Sequence, residues 1–207
     1  MMITDDEDLA LKMRRLGSLG YAALGAAAGQ SKISKDVIQN PGYLRHICMG
    51  WNYRISELCA AVALGQLERL EELVQVRVDS GKSLEDAVVG CSWLTPQHVP
   101  ADCKHAYWTF VCRLHEDAPC TWQEFRGKFL QLGGDPFYAA WALTYHEPAF
   151  HDSPDAEKYG WKQSQGLCPV AEKIQPRLMQ FKTNYFDSDR RDRATEALRQ
   201  TIAFWGA

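Results

Sequence analysis

The order of elements legible in these 207 residues predicts an α/β chain of the α+β kind, and three observations carry that expectation. Apolar residues recur at steps of three to five from Ile55 to Val78, the pattern of a long amphipathic helix. The runs Trp93 to Val99 and Tyr107 to Leu114 show β-rich alternation around a proline-containing turn, which predicts strands. Helical patterns before and after these runs complete the sequence helix, long helix, strands, helix, strand, helix.

Each element has a local cause. Thr4-Asp5-Asp6-Glu7 reads as a capping box with acids in the first turn, and Leu9, Met13 and Leu16 follow at helical spacing until Gly17 and Gly20. Residues from about 17 to 50 are rich in Gly, Ala, Ser and Lys and read as a connection longer than compact domains usually carry without a function. The long helix is expected as one continuous piece over about 56 to 78. Ser56 is a good N-cap, Glu57 suits the positive end of the helix dipole, and no proline lies between Arg54 and Thr95. Its stripe of Ile55, Leu58, Val62, Leu67, Leu70 and Val74 is expected to face protein. Thr121-Trp122-Gln123-Glu124 opens another helix, whose apolar positions include Phe125, Phe129 and Leu132 and which Gly133-Gly134 ends. Loops from Asp135 to Gln165, a short element at Cys168-Pro169-Val170-Ala171-Glu172 and a last amphipathic helix, roughly Ser188 to Phe204, finish the chain.

Composition narrows the partners. A net charge of −3 with dispersed basic residues gives no sign of nucleic acid or a membrane surface. No apolar run approaches the length of a bilayer span, and the N-terminus is acidic where a signal peptide would be basic, which together point to a cytoplasmic protein. Seven cysteines cannot all pair within one chain, and they read as reduced thiols in mostly apolar settings. Cys103, His105, Cys112, His115 and Cys120 raise a metal site but lack the paired spacing of a zinc clip, so no metal is expected. By strand alternation Cys112 belongs with Trp108, Phe110 and Leu114 in an apolar layer, while His115 projects the other way.

The densest chemical signal lies before the long helix. In Gly50-Trp51-Asn52-Tyr53-Arg54, Asn52 and Arg54 are two apart, so an extended approach points both the same way. An amide and a guanidinium then converge beside a helix N-terminus, whose free N–H groups also favour anions. Phosphate or carboxylate is the natural ligand. The same residues also suit a plainer arrangement, in which Arg54 pairs with Glu57 or another surface acid and Asn52 shapes a turn.

The run from Gly50 to Leu70, with its G-x-N-x-R turn and its L-x-A-A-x-x-x-x-Q-L-x-x-L helix, resembles the signature of the DegT-type (DegT/DnrJ/EryC) sugar aminotransferases, fold-type I enzymes dependent on pyridoxal 5′-phosphate. Leu132 to Phe150 and Cys168 to Glu172 resemble later family blocks, and Met2-Ile3-Thr4 onward resembles the segment that follows the family's cofactor lysine. The resemblance implies the small C-terminal domain of that fold, a short mainly antiparallel sheet with helices on one side. It implies a division into residues 1–55, the edge of the cofactor domain with the substrate loop, and 56–207, the long helix with the small domain.

Carried onto this chain, the resemblance makes Asn52 a contact to the cofactor phosphate across a homodimer interface and Arg54 a contact to the amino donor or nucleotide sugar. Tyr43 and His46 would border the substrate pocket; His46 also suits a purely structural role. None of the ten lysines, Lys32 and Lys35 included, stands in the family's S-F-x-x-x-K context, so no catalytic residue is assigned. Two functions follow as expectations. One is the C-terminal part of an enzyme that moves an amino group from an amino acid such as glutamate to a keto-sugar nucleotide, inactive without the half that bears the Schiff-base lysine. The other is a non-catalytic remnant that assembles or binds ligands.

Overall fold

The computed structural model describes residues 2–25, 29–30, 33–34, 37, 39–160 and 165–206. Lys32 and Lys35 lie outside the described residues. The chain divides into two compact units, Met1–Glu68 and Arg69–Ala207.

The second unit holds an antiparallel sheet of four strands, β3 (Leu94–Pro96), β4 (Phe110–Leu114), β5 (Tyr138–Ala139) and β6 (Leu178–Phe181), in the order β3-β4-β6-β5. Phe110 pairs with Phe181 and Cys112 with Met179, so strand alternation sends Phe110, Cys112, Leu114, Met179 and Phe181 to one face. That face is the core. Leu84, Ala87 and Val88 of helix α3 (Leu70–Val88), Phe125 and Phe129 of α4 (Trp122–Gln131), and Ala197, Leu198 and Ile202 of α7 (Ser188–Phe204) pack into the same cluster. Each fully buried Leu or Phe contributes about 1.5–3 kcal/mol. The expected capping box is present: Thr121 Oγ1 accepts from Glu124 N at 3.2 Å while Glu124 Oε2 accepts from Thr121 N at 2.8 Å. Two short helices, α5 (Pro148–His151) and α6 (Pro169–Ile174), lie in the stretch between β5 and β6. Tyr145 donates its hydroxyl hydrogen to Glu172 at 2.9 Å, and Glu172 also accepts from Gly166 N and Cys168 N, which staples the loop ahead of α6.

The first unit contains α1 (Glu7–Gly17), the short strands β1 (Leu24–Gly25) and β2 (Gly29–Gln30), and α2 (Glu57–Leu67). Asp6, rather than Thr4, caps α1, accepting from Leu9 N at 2.9 Å, while Thr4 Oγ1 accepts from Asp6 N. Ser56 caps α2 as expected, accepting from Cys59 N at 3.2 Å.

Further expectations are corrected. The long helix is not continuous: it stops at Leu67 and restarts at Leu70, where the backbone of Arg69 leaves the helical basin (φ −108°, ψ 11°). Nor is the stripe covered within the chain over most of its length: Ile55, Leu58, Val62, Leu67 and Leu70 are exposed and α2 buries no residue, while Val74 is half-buried. Trp108 leaves the layer of Cys112 and is 76% exposed, because the strand starts only at Phe110 and residues 108 and 109 bend ahead of it, after Tyr107 at φ +46°. Tyr107 is buried in its place, donating its hydroxyl hydrogen to Glu85 at 3.0 Å while its carbonyl accepts from Thr183 Oγ1 at 2.6 Å. All seven cysteines are free. Cys91 and Cys112 are buried, but Cys48, Cys59, Cys103 and Cys168 are exposed, so the apolar setting expected for most of them holds for few. Burial pushes the Cys112 thiol far above its ordinary value and Cys120 up to about 11.

Candidate functional site: the Asn52–Arg54 turn

The end of α1 templates the turn. Ser18 N turns back to Arg14 O and Arg15 O, and Gly20, at φ +74°, donates to Arg15 O, which closes the helix. The freed carbonyls of residues 16–20 then receive the incoming chain. Ile47 N donates to Gly20 O at 2.9 Å, Asn52 N to Ser18 O at 2.8 Å, Trp51 N to Leu16 O at 2.8 Å and Tyr53 N to Gly17 O at 2.7 Å. Gly50 lies where this approach is tightest, since a Cβ there would run into Ser18 O, Gly20 N and Leu19 C. Backbone bonds, with little side-chain packing, fix the turn.

Asn52 and Arg54 are brought together. Arg54 Nε donates to Asn52 Oδ1 at 2.8 Å, and both side chains are exposed. The route differs from the extended approach that the sequence suggests, because Asn52 sits at φ +54° in the left-handed region, which Asn tolerates better than most residues. The bond engages the amide oxygen, and the pair then presents several donors together: Asn52 Nδ2–H and the terminal N–H groups of Arg54. Two residues on, Ser56 satisfies Cys59 N, and the N–H groups of Glu57 and Leu58 remain at the start of α2. The residues fit a phosphate or carboxylate, which the plain pairing of Arg54 with Glu57 would have occluded; Arg54 takes Asn52 as its partner instead.

His46 belongs to the same zipper. Its Nδ1 lies 2.6 Å from Leu19 O, its backbone pairs with Tyr21 as an isolated bridge, and its ring rests 5.0 Å from the Tyr21 ring. Those contacts account for it structurally, although the residue as a whole is exposed. Tyr43 is half-buried and its N–H donates to Asn40 O at 3.0 Å, outside the zipper. What sequence reasoning missed is the template itself. Gly17, Gly20 and Gly50 were the signal, read only as helix ends and as the start of a motif. Among the described residues no three His, Cys, Asp or Glu side chains come together as metal ligands would; Cys112 is in the core, and His115 Nε2 lies 2.6 Å from Thr95 Oγ1. No helix among the described residues is long and apolar enough to cross a membrane.

Comparison with known proteins gives the family and the fold. The family model of the DegT/DnrJ/EryC1/StrS aminotransferases matches residues 1–185. The chain is 28% identical over 114 residues, 54% of its length and 27% of the relative's, to a UDP-4-amino-4-deoxy-L-arabinose–oxoglutarate aminotransferase of Shewanella sediminis. It is 32% identical over 123 residues, 58% of its length and 28% of the relative's, to a GDP-perosamine synthase of Caulobacter vibrioides. The aminotransferase structure from Psychrobacter cryohalolentis superposes with a TM-score of 0.77 at 21% identity, covering 99% of this chain and 51% of that one, and so shows the shared fold. The matched stretches thus span a little over a quarter of the curated relatives and about half of that structure. With a fold-type I small-domain sheet, a G-x-N-x-R turn and a family match over most of its length, the chain belongs to the DegT/DnrJ/EryC1/StrS aminotransferase family.

Proposed function

We propose that these residues are the C-terminal part of a cytoplasmic, homodimeric nucleotide-sugar aminotransferase dependent on pyridoxal 5′-phosphate, with glutamate or a similar amino acid as donor. The observation that carries the reading is the bond from Arg54 Nε to Asn52 Oδ1, which gathers the Asn52 amide and the Arg54 guanidinium donors on one exposed face shortly before the start of α2. Asn52 would donate to the cofactor phosphate, and Arg54, a planar cationic fork, would hold the anionic group of the donor or of the nucleotide sugar. Tyr43 and His46 would border that substrate, and residues 1–55 would belong to the edge of the cofactor domain. Pyridoxal 5′-phosphate, when bound, supplies the ring that carries the amino group between donor and acceptor. The residues seen here bind and orient; the lysine that anchors the cofactor belongs to the part of the family fold that these residues do not cover.

The test is steady-state transfer by the complete gene product, loaded with pyridoxal 5′-phosphate, followed by release of 2-oxoglutarate from glutamate with keto-sugar nucleotides as acceptors. Arg54→Ala should raise the KM of an anionic substrate, by about 1–3 kcal/mol of lost charge-assisted hydrogen bonding, with less effect on kcat. Transfer that is indifferent to Arg54→Ala would overturn the assignment of Arg54, and absence of transfer with every keto-sugar nucleotide would overturn the reaction.

A further inference from the structure

A recess of about 380 Å³, near the lower end of the range for small-molecule sites, lies in the second unit on the face of the sheet opposite the core. No step of the reading above uses it. Arg113 lines it from β4, which runs between β3 and β6, so this cation sits on an interior strand with Thr95 and Leu178 as its register partners. Strand alternation turns it away from Cys112 and Leu114. Its side chain is half-buried, yet among the described residues no ion pair or hydrogen bond reaches its guanidinium. A guanidinium in that position has lost part of its hydration and gained no counter-ion in return.

Two further cations reach the same recess from α6 and the turn after it. Arg177 is held by three contacts: Nε donates to Lys173 O at 3.0 Å, Nη1 donates to Leu114 O at 3.4 Å, and Nη2 lies 3.3 Å from Glu116 Oε1. Each terminal nitrogen keeps an N–H to spare. Lys173 Nζ lies 2.7 Å from the same Glu116 oxygen, so one carboxylate gathers both cations without cancelling them. Glu116 is the only carboxylate in the lining among the described residues, and three cations against it leave two positive charges in excess. His115, two residues beyond Arg113 and on the same face, has Nε2 2.6 Å from Thr95 Oγ1 and Nδ1 3.9 Å from Asp117, a carboxylate outside the lining. Val170 and Ile174 give the recess a small apolar wall. Guanidinium forks beside an ammonium suit a compact oxyanion of two charges. A monocarboxylate would leave one charge unmatched, and no Trp, Tyr or Phe lines the recess for a nucleotide base to stack on.

We infer that this recess binds a phosphate group, free or at the end of a small monoester, between Arg113 of β4 and the Lys173 and Arg177 side chains. The bound anion would tie the turn after α6 to the sheet and stabilise the second unit by mass action. The inference does not depend on amino transfer or on the assignments of Asn52 and Arg54. The experiment is calorimetric titration of the 207-residue chain with inorganic phosphate and with glycerol 3-phosphate, with melting curves in parallel against sodium chloride of matched ionic strength. Phosphate should bind saturably and raise Tm where chloride does not. Tighter binding of glycerol 3-phosphate would assign a monoester resting on Val170 and Ile174, and equal or weaker binding would assign the free ion. Arg113→Gln should weaken phosphate about ten-fold or more, and Arg113→Lys should recover part of the loss, which separates charge from a folding defect. Glu116→Gln, which removes the competing carboxylate, should tighten it about three-fold or more, a gain that a purely structural pair would not give. The inference is overturned if phosphate does not saturate the chain up to about 10 mM, if chloride or malonate acts equally, or if Arg113→Gln leaves the affinity unchanged. It is also overturned if Glu116→Gln weakens binding, or if UDP binds here more tightly than phosphate and is lost with Arg113→Gln. Cofactor retention and transfer are not read in these titrations, so each of those results leaves the reading of Asn52 and Arg54 standing.

Discussion

Phe110 and Val62 are both apolar and both lie in regular structure, yet Phe110 is fully covered by its own unit while Val62 is 63% exposed. The contrast extends to the units that hold them. Residues 69–207 enclose a core of aromatic and aliphatic side chains, in which Phe125, Phe129, Phe137 and Phe181 meet at ring separations of 4.6 to 6.3 Å. Residues 2–68 bury Ser18 and Gly20 and are held by backbone hydrogen bonds along the end of α1. The difference teaches how a turn can be placed without a core of its own. A helix end offers unpaired carbonyls, glycine allows a second strand of chain to lie directly on them, and the side chains of that strand stay outside. Asn52 and Arg54 are set by geometry, and the apolar side chains around them, Trp51, Tyr53, Ile55 and Leu58, remain available to other protein surfaces.

The contrast can be broken most severely in the core. Phe110→Ala should cost about 3–5 kcal/mol in urea unfolding, as large cavities in packed cores do. A loss below about 1 kcal/mol would mean that the second unit is not held by this cluster. Thiol labelling separates the units kinetically. Cys59, exposed on α2, should react promptly with a maleimide, whereas Cys112 should react only on unfolding, because it is buried and its thiol is pushed far up. Equal rates would contradict the burial pattern.

Acid should act on the second unit through Asp135. Burial pushes that carboxyl up, but the hydrogen bond from Arg190 and the nearby Lys182 outweigh burial and hold it below the ordinary value of 3.8. A depressed carboxylate stabilises the fold above its unfolded pKa, and the stabilisation is lost as pH falls through the folded value. Wild-type Tm should therefore drop more steeply below about pH 4 than that of Asp135→Asn, and parallel curves would refute the role. The smallest effect is expected in the first unit, where Val62→Ser should change the stability of the isolated chain by no more than about 0.5 kcal/mol. A large loss there would show that α2 is covered in solution.

Much of the second unit was legible in the sequence because its signals are local: the capping box at Thr121 and Glu124, alternation at Phe110, Cys112 and Leu114, and Ser188 to Phe204 as a helix. The errors have common physical causes. Periodicity foretold a stripe from Ile55 to Val74 but not what covers it, since spacing specifies a face and says nothing of its partner. It also ran through Arg69, whose backbone leaves the helical basin at φ −108°, ψ 11°. Alternation was extended one step too far at Trp108, because the strand begins only at Phe110 and residues 108 and 109 form a bend ahead of it. The pairing of Asn52 with Arg54 was legible from their spacing, but its geometry was not, since it depends on carbonyls of residues 16–20 more than thirty positions away in sequence.

The central claim, that the Asn52–Arg54 turn is a phosphate site for the cofactor, is tested most directly by cofactor retention. Gly is at ease at φ +54°, so Asn52→Gly removes the amide while leaving the backbone free to keep its course, whereas Asn52→Ala adds the strain of the left-handed region. The complete gene product and its Asn52→Gly variant would be loaded with pyridoxal 5′-phosphate and dialysed, and bound cofactor read by absorbance. Retention by the parent protein with a loss of affinity of about ten-fold or more in Asn52→Gly is the expected result, the size of one hydrogen bond to a charged group. Equal retention by both would contradict it.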